Sequence, residues 1–312
     1  MNGVLGALSH AADALTDPFG RLDPRFAVVA LAFQGANLVF RAAAWRNVLV
    51  AAYPNRRVSL LGVGAAYAAG VALNGFLPAR GGEAAKIGLA RLQVPGSSVV
   101  TIAAAGSVVL AFDALVGGIL ILVAWATGAL PQAPHAPALI SHLAGRPLVV
   151  GAVALALAGL AGLAAKRFAR PLRRLVTNLR RGGAVLRAPR RYVQTVVSMQ
   201  IGAWISRIGA AFFLLAAFGL PASLRLATLV VVLGGLSTLV PATPGGMGTQ
   251  QLLLVYALHG TIAAATALSF SIGMQVTVTV TNTLIGVIAA MVVFKTVRPL
   301  GALAAATRAA RG

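Results

Sequence analysis

Apolar residues run through the chain in long blocks, at about 26–51, 58–79, 98–126, 147–165, 193–219, 224–241, 251–268 and 270–294. Several approach or exceed the ~20 residues that a helix needs to cross a hydrocarbon core. The block "PLVVGAVALALAGLAGLAA" (147–165) carries no charge at all. Turn-rich joints separate the blocks: "YPNRR" (53–57), "RLQVPGSS" (91–98), "GALPQAPHAP" (128–137) and "PATPGGMGTQ" (241–250). Proline, glycine and asparagine punctuate helices in this way. The pattern predicts an all-α, polytopic integral membrane bundle of about six to eight transmembrane segments.

Composition agrees with the pattern. Of 312 residues, 59% are hydrophobic and only 10% charged, and mean hydropathy is +0.88. A soluble domain carries about 25% charged residues. The N-terminus lacks a basic region and holds Asp13, Asp17 and Asp23, so no secretory signal peptide is expected. Cysteine is absent, which excludes disulfides, a thiolate metal site and a cysteine nucleophile. His10, His135, His142 and His259 are scattered without a helix-spaced pair. No metal and no cofactor is expected.

The net charge of +21 is uneven. Ten of the 26 basic residues fall in 166–191, "KRFARPLRRLVTNLRRGGAVLRAPRR", with no acid among them. Short loops rich in Lys and Arg stay in the cytoplasm and attract anionic headgroups. A lone aromatic, Phe168, among ten basic residues is not the aromatic-basic interleaving of nucleic-acid binding, so membrane lipid, and not nucleic acid, is the expected partner.

Charge also sets a topological conflict. With 166–191 inside, the Pro-rich 128–146 loop is outside and Arg80, Lys86 and Arg91 are inside. Arg56 and Arg57 also belong inside. The stretch between them then cannot be a simple crossing. It enters and returns, or the 74–90 piece dips back, as a re-entrant or broken helix. Lys295, Arg298, Arg308 and Arg311 place the C-terminus inside, and "LHGT" (258–261) favours a hairpin of short helices in the second half.

Two stretches echo each other. Leu77-Pro78-Ala79 and Gly81-Gly82 in "NGFLPARGGEA" match Val240-Pro241-Ala242 and Gly245-Gly246 in "STLVPATPGGMG". Two ordinary Pro/Gly loops are one reading. The other is a pair of broken helices in corresponding positions of two halves, a pointer to a transporter site near the midplane. The halves run about 26–126 and 193–295, joined by the 147–165 helix and the 166–191 loop. Together they form one transmembrane domain over 26–295, between an extracytoplasmic segment (1–25) and a basic tail (296–312). Backbone groups freed at such breaks need protein or a water-lined cavity. A helix N-terminus there suits an anion.

The scarce charges single out candidate residues. After residue 23 the chain has two acids, Glu83 and Asp113. Arg80 and Glu83 can pair at i, i+3, or Arg80 can offer its planar fork to a phosphate, with Lys86 as a second cation. Asp113 lies deep in an apolar block, where a lone carboxylate costs about 2.5–3.5 kcal/mol. It either pairs with a buried arginine, binds a coupling ion or proton, or shapes the site indirectly. Arg207 is its natural counterpart and Arg41 a second candidate. Arg46 snorkels from its helix end, with Trp45 as an interfacial anchor. No catalytic constellation or Walker loop is present, so the chain is not expected to be an enzyme.

At these motifs the chain resembles the lysylphosphatidylglycerol synthase transmembrane region, the flippase domain of the multiple peptide resistance factor. The first family motif falls on Asn74, Pro78, Arg80, Gly82 and Glu83, with Lys86 in place of the usual arginine. Asp113 fits the acid of the second. Pro244, Gly245, Gly246 and Gly248 fit the third. Val109 and Leu110 stand where the family has a Glu-Arg pair, and Gln251 replaces the final glutamate. The resemblance implies a bacterial inner-membrane protein that moves lipids or lipid-linked intermediates between leaflets, without the soluble aminoacyl-transferase domain. The expected function is translocation of an anionic or polyprenyl-phosphate-linked lipid through a cationic cavity. A transporter of a small soluble anion and a non-transporting partner of a lipid-modifying or glycosyltransferase enzyme stay open as alternatives.

Overall fold

The computed structural model describes residues 22–77, 81–127, 182–237, 248–258 and 262–294. Among them every regular element is helical, and four helices are long and apolar enough to cross a membrane. These are α1 (Pro24–Ala52), α4 (Val99–Ala126), α5 (Pro189–Ala217) and α8 (Ala264–Phe294). Four others are short: α2 (Leu60–Asn74), α3 (Gly81–Gln93), α6 (Leu224–Ser237) and α7 (Thr249–Ala257). At 1.5 Å per residue these reach roughly 14–22 Å, less than the ~30 Å hydrocarbon core. The chain is a multi-pass membrane protein.

Helices α1 and α5 form an antiparallel central pair. Asp23 caps α1 by accepting from the Arg25 amide (2.8 Å), and Pro24 fills the first turn, where no amide is needed. The Asp23 amide also donates to the Ala217 carbonyl (2.9 Å), which holds the start of α1 at the end of α5. Further along, Asn37 donates to the Ala203 carbonyl and Asn47 to the Thr195 carbonyl, each at 2.7 Å. Thr195 lies in a π-helical turn, Val193–Val197, near the start of α5. The Phe33 and Phe40 rings lie directly on Gly209 and Gly202, where a Cβ would come within 2.8 and 3.0 Å of them. In lipid, such small residues and inter-helix hydrogen bonds replace the hydrophobic drive for association.

The segment whose charges conflict in the sequence folds back on itself. Helices α2 and α3 form an antiparallel hairpin in which Gly62 faces Gln93 and Gly70 faces Lys86. At its open end the Ser98 amide donates to the Tyr53 hydroxyl (2.9 Å), and the Arg56 guanidinium lies against Gly96. Helices α6 and α7 make a second, shorter hairpin, with Gly234 beside Gln250.

Each hairpin has its own apolar core. One joins α2 and α3 to the second half of α1 and the first half of α4. The other joins α6 and α7 to the second half of α5 and the first half of α8. The α1–α5 pair is the seam between them.

Three expectations are corrected. The break in the second half falls between α7 and α8, so 264–268 belongs to the last helix and not to a 251–268 block. Leu258 caps α7, and the Ile262 amide donates back to the Leu258 carbonyl (3.0 Å). Trp45 is no interfacial anchor: it is 1% exposed and packs on Tyr67, because α2 and α3 fold over that face of α1. Arg46 does not snorkel freely, since its Nε donates to the Val58 carbonyl (3.0 Å) and braces the α1–α2 joint. The 147–165 helix, the 166–181 part of the basic loop, residues 1–21 and residues 295–312 lie outside the described residues.

The hairpin makes a topological prediction. The chain contains no cysteine, so single reporters are clean. Cysteines placed at the exposed positions Asn55 and Pro95 should both react with a membrane-impermeant maleimide from the same side. Labelling from opposite sides would rule out an entering-and-returning hairpin.

Candidate functional site

The tip of the first hairpin gathers the described residues of the first motif. Gly82 sits where any side chain collides: a Cβ would lie 2.7 Å from the Asn74 amide nitrogen and would strike the Gly70 carbonyl oxygen. This contact closes α3 onto α2 and places Glu83, in the first turn of α3, beside Asn74. The Asn74 Nδ2 donates to Glu83 Oε1 (3.4 Å). A carboxylate in a first turn also meets the positive end of the helix dipole.

Glu83 forms an ion pair with Lys86, three residues on. The Lys86 ammonium also lies 5.2 Å from the Trp45 ring centroid and 5.1 Å from that of Tyr67. Lys86 is therefore buried and its charge is met inside the fold, whereas the Glu83 side chain keeps 45% exposure. Pro78 and Arg80 lie outside the described residues, so the carboxylate partner seen is Lys86.

The second tip is organised by Gly248. Its φ of +83° is in the left-handed region that glycine adopts without a Cβ penalty. This conformation sets the start of α7 at Thr249. The echo in the sequence, which aligns Gly245 with Gly81 at the start of α3, thus runs ahead of the helix it marks. The Gly248 amide donates to Gln251 Oε1 (2.7 Å), and Gln251 Nε2 donates to Gln275 Oε1 on α8 (3.0 Å). Pro244, Gly245 and Gly246 lie outside the described residues.

The two tips converge on α8. Gly75, just past the end of α2, abuts Thr279, and Gln251 bonds Gln275. Gln275 and Thr279 are one turn apart on one face, near the middle of the 31-residue helix. Helices α3 and α7 both begin at these tips, so two sets of first-turn amides and two positive dipole ends meet there.

A second polar cluster lies at the seam. Asp113, midway along α4, receives Arg41 through two contacts, NH1 to Oδ2 (2.8 Å) and NH2 to Oδ1 (3.2 Å). Trp204 Nε1 (3.1 Å) and Gln200 Nε2 (3.4 Å), both from α5, also donate to Oδ1. Both side chains of the ion pair are 16% exposed. Arg41, not Arg207, is thus the counterpart of Asp113: the glycine contacts set the α1–α5 register so that Arg41 faces α4. The Arg207 guanidinium instead lies over the Trp204 ring, 5.6 Å from its centroid. A charge at the bilayer centre costs about 2.5–3.5 kcal/mol on insertion scales. A cation–π contact returns about 0.5–2 kcal/mol of that, and Asp113 acts on Arg207 from a distance without an ion pair between them.

Neutral amides are the residues that attention to charge missed. Gln34 on α1 donates to Asn282 on α8 (2.9 Å), and Gln200 and Gln275 hold the contacts above. Their signal was present in the sequence: Gln34, Asn37 and Arg41 recur at helical spacing, as do Gln275 and Asn282.

A family model described as Lysylphosphatidylglycerol synthase TM region matches residues 5–286. Comparisons with curated proteins and with solved structures return no match.

Two stability predictions follow from these contacts. Gly82→Ala should destabilise the protein by about 1–3 kcal/mol, as overpacking does, while Gly118→Ala, with nothing within 4 Å, should be near neutral; thermal midpoints in detergent compare the two. Asp113→Leu should cost about 3 kcal/mol by stranding Arg41, and adding Arg41→Leu should restore part of the loss. Equal midpoints for the single and double variants would remove the pair as the cause.

Proposed function

The chain belongs to the lysylphosphatidylglycerol synthase transmembrane-region family, and on that premise we propose that it is a lipid translocase. At the family level it is a membrane protein of lipid-related function. The finer reading is that an anionic or polyprenyl-phosphate-linked headgroup crosses the bacterial inner membrane where the two hairpin tips meet α8. The acyl chains stay in the bilayer.

The observation that carries this reading is the convergence of both helix breaks on the middle of a membrane-length helix. Breaks at such a depth need protein or a water-lined cavity to satisfy their backbone, and paired broken helices mark substrate sites in transporters. Arg80 supplies the guanidinium fork, and the first turns of α3 and α7 supply amide donors. Lys86, held by Glu83, Trp45 and Tyr67, orients Glu83. Each half has its own core, so rocking about the α1–α5 seam exposes the tips alternately. The basic 166–191 loop and the C-terminus face the cytoplasm in this scheme. The chain works without catalytic groups of its own.

Transbilayer movement of a fluorescent phosphatidylglycerol in proteoliposomes tests the site. Hydrogen bonds to charged groups contribute about 1.5–3 kcal/mol, so Arg80→Ala and Glu83→Ala should each slow flipping about tenfold or more. If both variants flip lipid as fast as the parent, the assignment is wrong.

A further inference from the structure

We propose that Arg207 and Trp204 on α5 form a second binding site, separate from the hairpin tips, for a singly charged phosphodiester such as the headgroup of an anionic phospholipid.

The charge balance at the seam points to such a ligand. An ionised carboxylate offers about four acceptor positions. Asp113 meets the two Arg41 nitrogens, Trp204 Nε1 and Gln200 Nε2, three of these contacts on Oδ1, and Arg207 is not among its donors. Among the described residues the other intramembrane acid, Glu83, is paired with Lys86. Arg207 therefore has no carboxylate partner among the described residues, although Asp113 and Arg41 are both close enough to act on it electrostatically. The cluster of Arg41, Asp113 and Arg207 sums to one positive charge. One negative charge neutralises it.

The geometry suits a phosphate oxyanion. A guanidinium lying on an aromatic face keeps its N–H groups directed outward around its edge, where they form a fork for two oxygens. Trp204 is pinned beneath it, because its own Nε1 is committed to Asp113. The platform is thus preorganised by the seam.

The surroundings suit a lipid. Arg207 lies in the interior of α5, and Asp113 is midway along α4. On the same two helices Ile201, Ile205, Leu110 and Leu115 are 50%, 62%, 55% and 62% exposed. Apolar surface of that kind on α4 and α5 is suited to packing against acyl chains. A zwitterionic lipid would carry its own cation to an already positive cluster, so an anionic lipid is favoured over phosphatidylcholine.

Bromine quenching tests the site, because Trp204 lies against the bound group. The protein is placed in phosphatidylcholine nanodiscs with increasing brominated phosphatidylglycerol, or with brominated phosphatidylcholine as the reference. The chain has three tryptophans, so the Trp204 share is the difference from Trp204→Phe. Brominated phosphatidylglycerol should quench that share at about tenfold lower mole fraction than brominated phosphatidylcholine, a difference of about 1.4 kcal/mol. Arg207→Gln should abolish the preference, Arg207→Lys should weaken it, and Arg225→Gln, at an exposed position on α6, should keep it. Added inorganic phosphate separates the sources: if it erases the preference, the site takes the free anion, and if not, it takes the lipid. The preference should survive Arg80→Ala, so this outcome is independent of whether the tips translocate lipid. No preference in the parent, its persistence in Arg207→Gln, or its loss in Arg80→Ala overturns the proposal.

Discussion

The Asp113 carboxylate receives Arg41 from α1 and Trp204 and Gln200 from α5, and through them three membrane-length helices are held at one level. In a medium without water, a lone carboxylate on α4 would be costly, and so would a lone guanidinium on α1. Each removes most of the other's cost, which turns two liabilities into a tether. The tether sits on the seam between the two apolar cores. Its register is shared with the Asn37 and Asn47 hydrogen bonds and with the glycines under Phe33 and Phe40. The two hairpins hang on opposite sides of this seam, while α4 and α8 pack against both cores.

The hairpins solve a different problem. A helix shorter than the hydrocarbon leaves its terminal amides and carbonyls at depth, where they have no water. At the first tip, Asn74 and Glu83 crowd the break, and Gly82 lets α3 close on α2 backbone to backbone. At the second, Gln251 takes the Gly248 amide with one end of its side chain and Gln275 with the other. A glutamate in place of Gln251 could accept from Gly248 but could not, while ionised, donate to Gln275. The amide thus joins α7 to α8 without adding a charge.

The long helices were legible because length and uniform apolarity are local properties, and α1, α4, α5 and α8 lie close to the blocks that show them. The first hairpin was legible for a less obvious reason: Arg56 and Arg57 before it and Lys86 and Arg91 within it argued against a single straight helix there. The partner of Asp113 was not legible. Arg41 and Arg207 are chemically equivalent choices, and which one reaches α4 depends on how two helices more than 150 residues apart are rotated against each other. That rotation is decided by where rings find bare backbone. Trp45 failed as an interfacial marker for a related reason: aromatic position along a helix says nothing about which face a later hairpin will cover. The neutral amides were visible but silent, because a glutamine in an apolar block announces a hydrogen bond without naming its partner. The end of α7 at Ala257 was anticipated by "LHGT", but a 31-residue final helix from Ala264 was not.

The Glu83–Lys86 pair rests on Trp45 and Tyr67, whose rings lie under Lys86 in the core of the first hairpin. Helix α8 meets both tips, with Thr279 against Gly75 and Gln275 against Gln251. Gln275 and Thr279 lie one turn apart on one continuous helix, so any roll of α8 would carry both through the same arc. The two tips are therefore geared together: neither can shift its seat on α8 without moving the seat of the other.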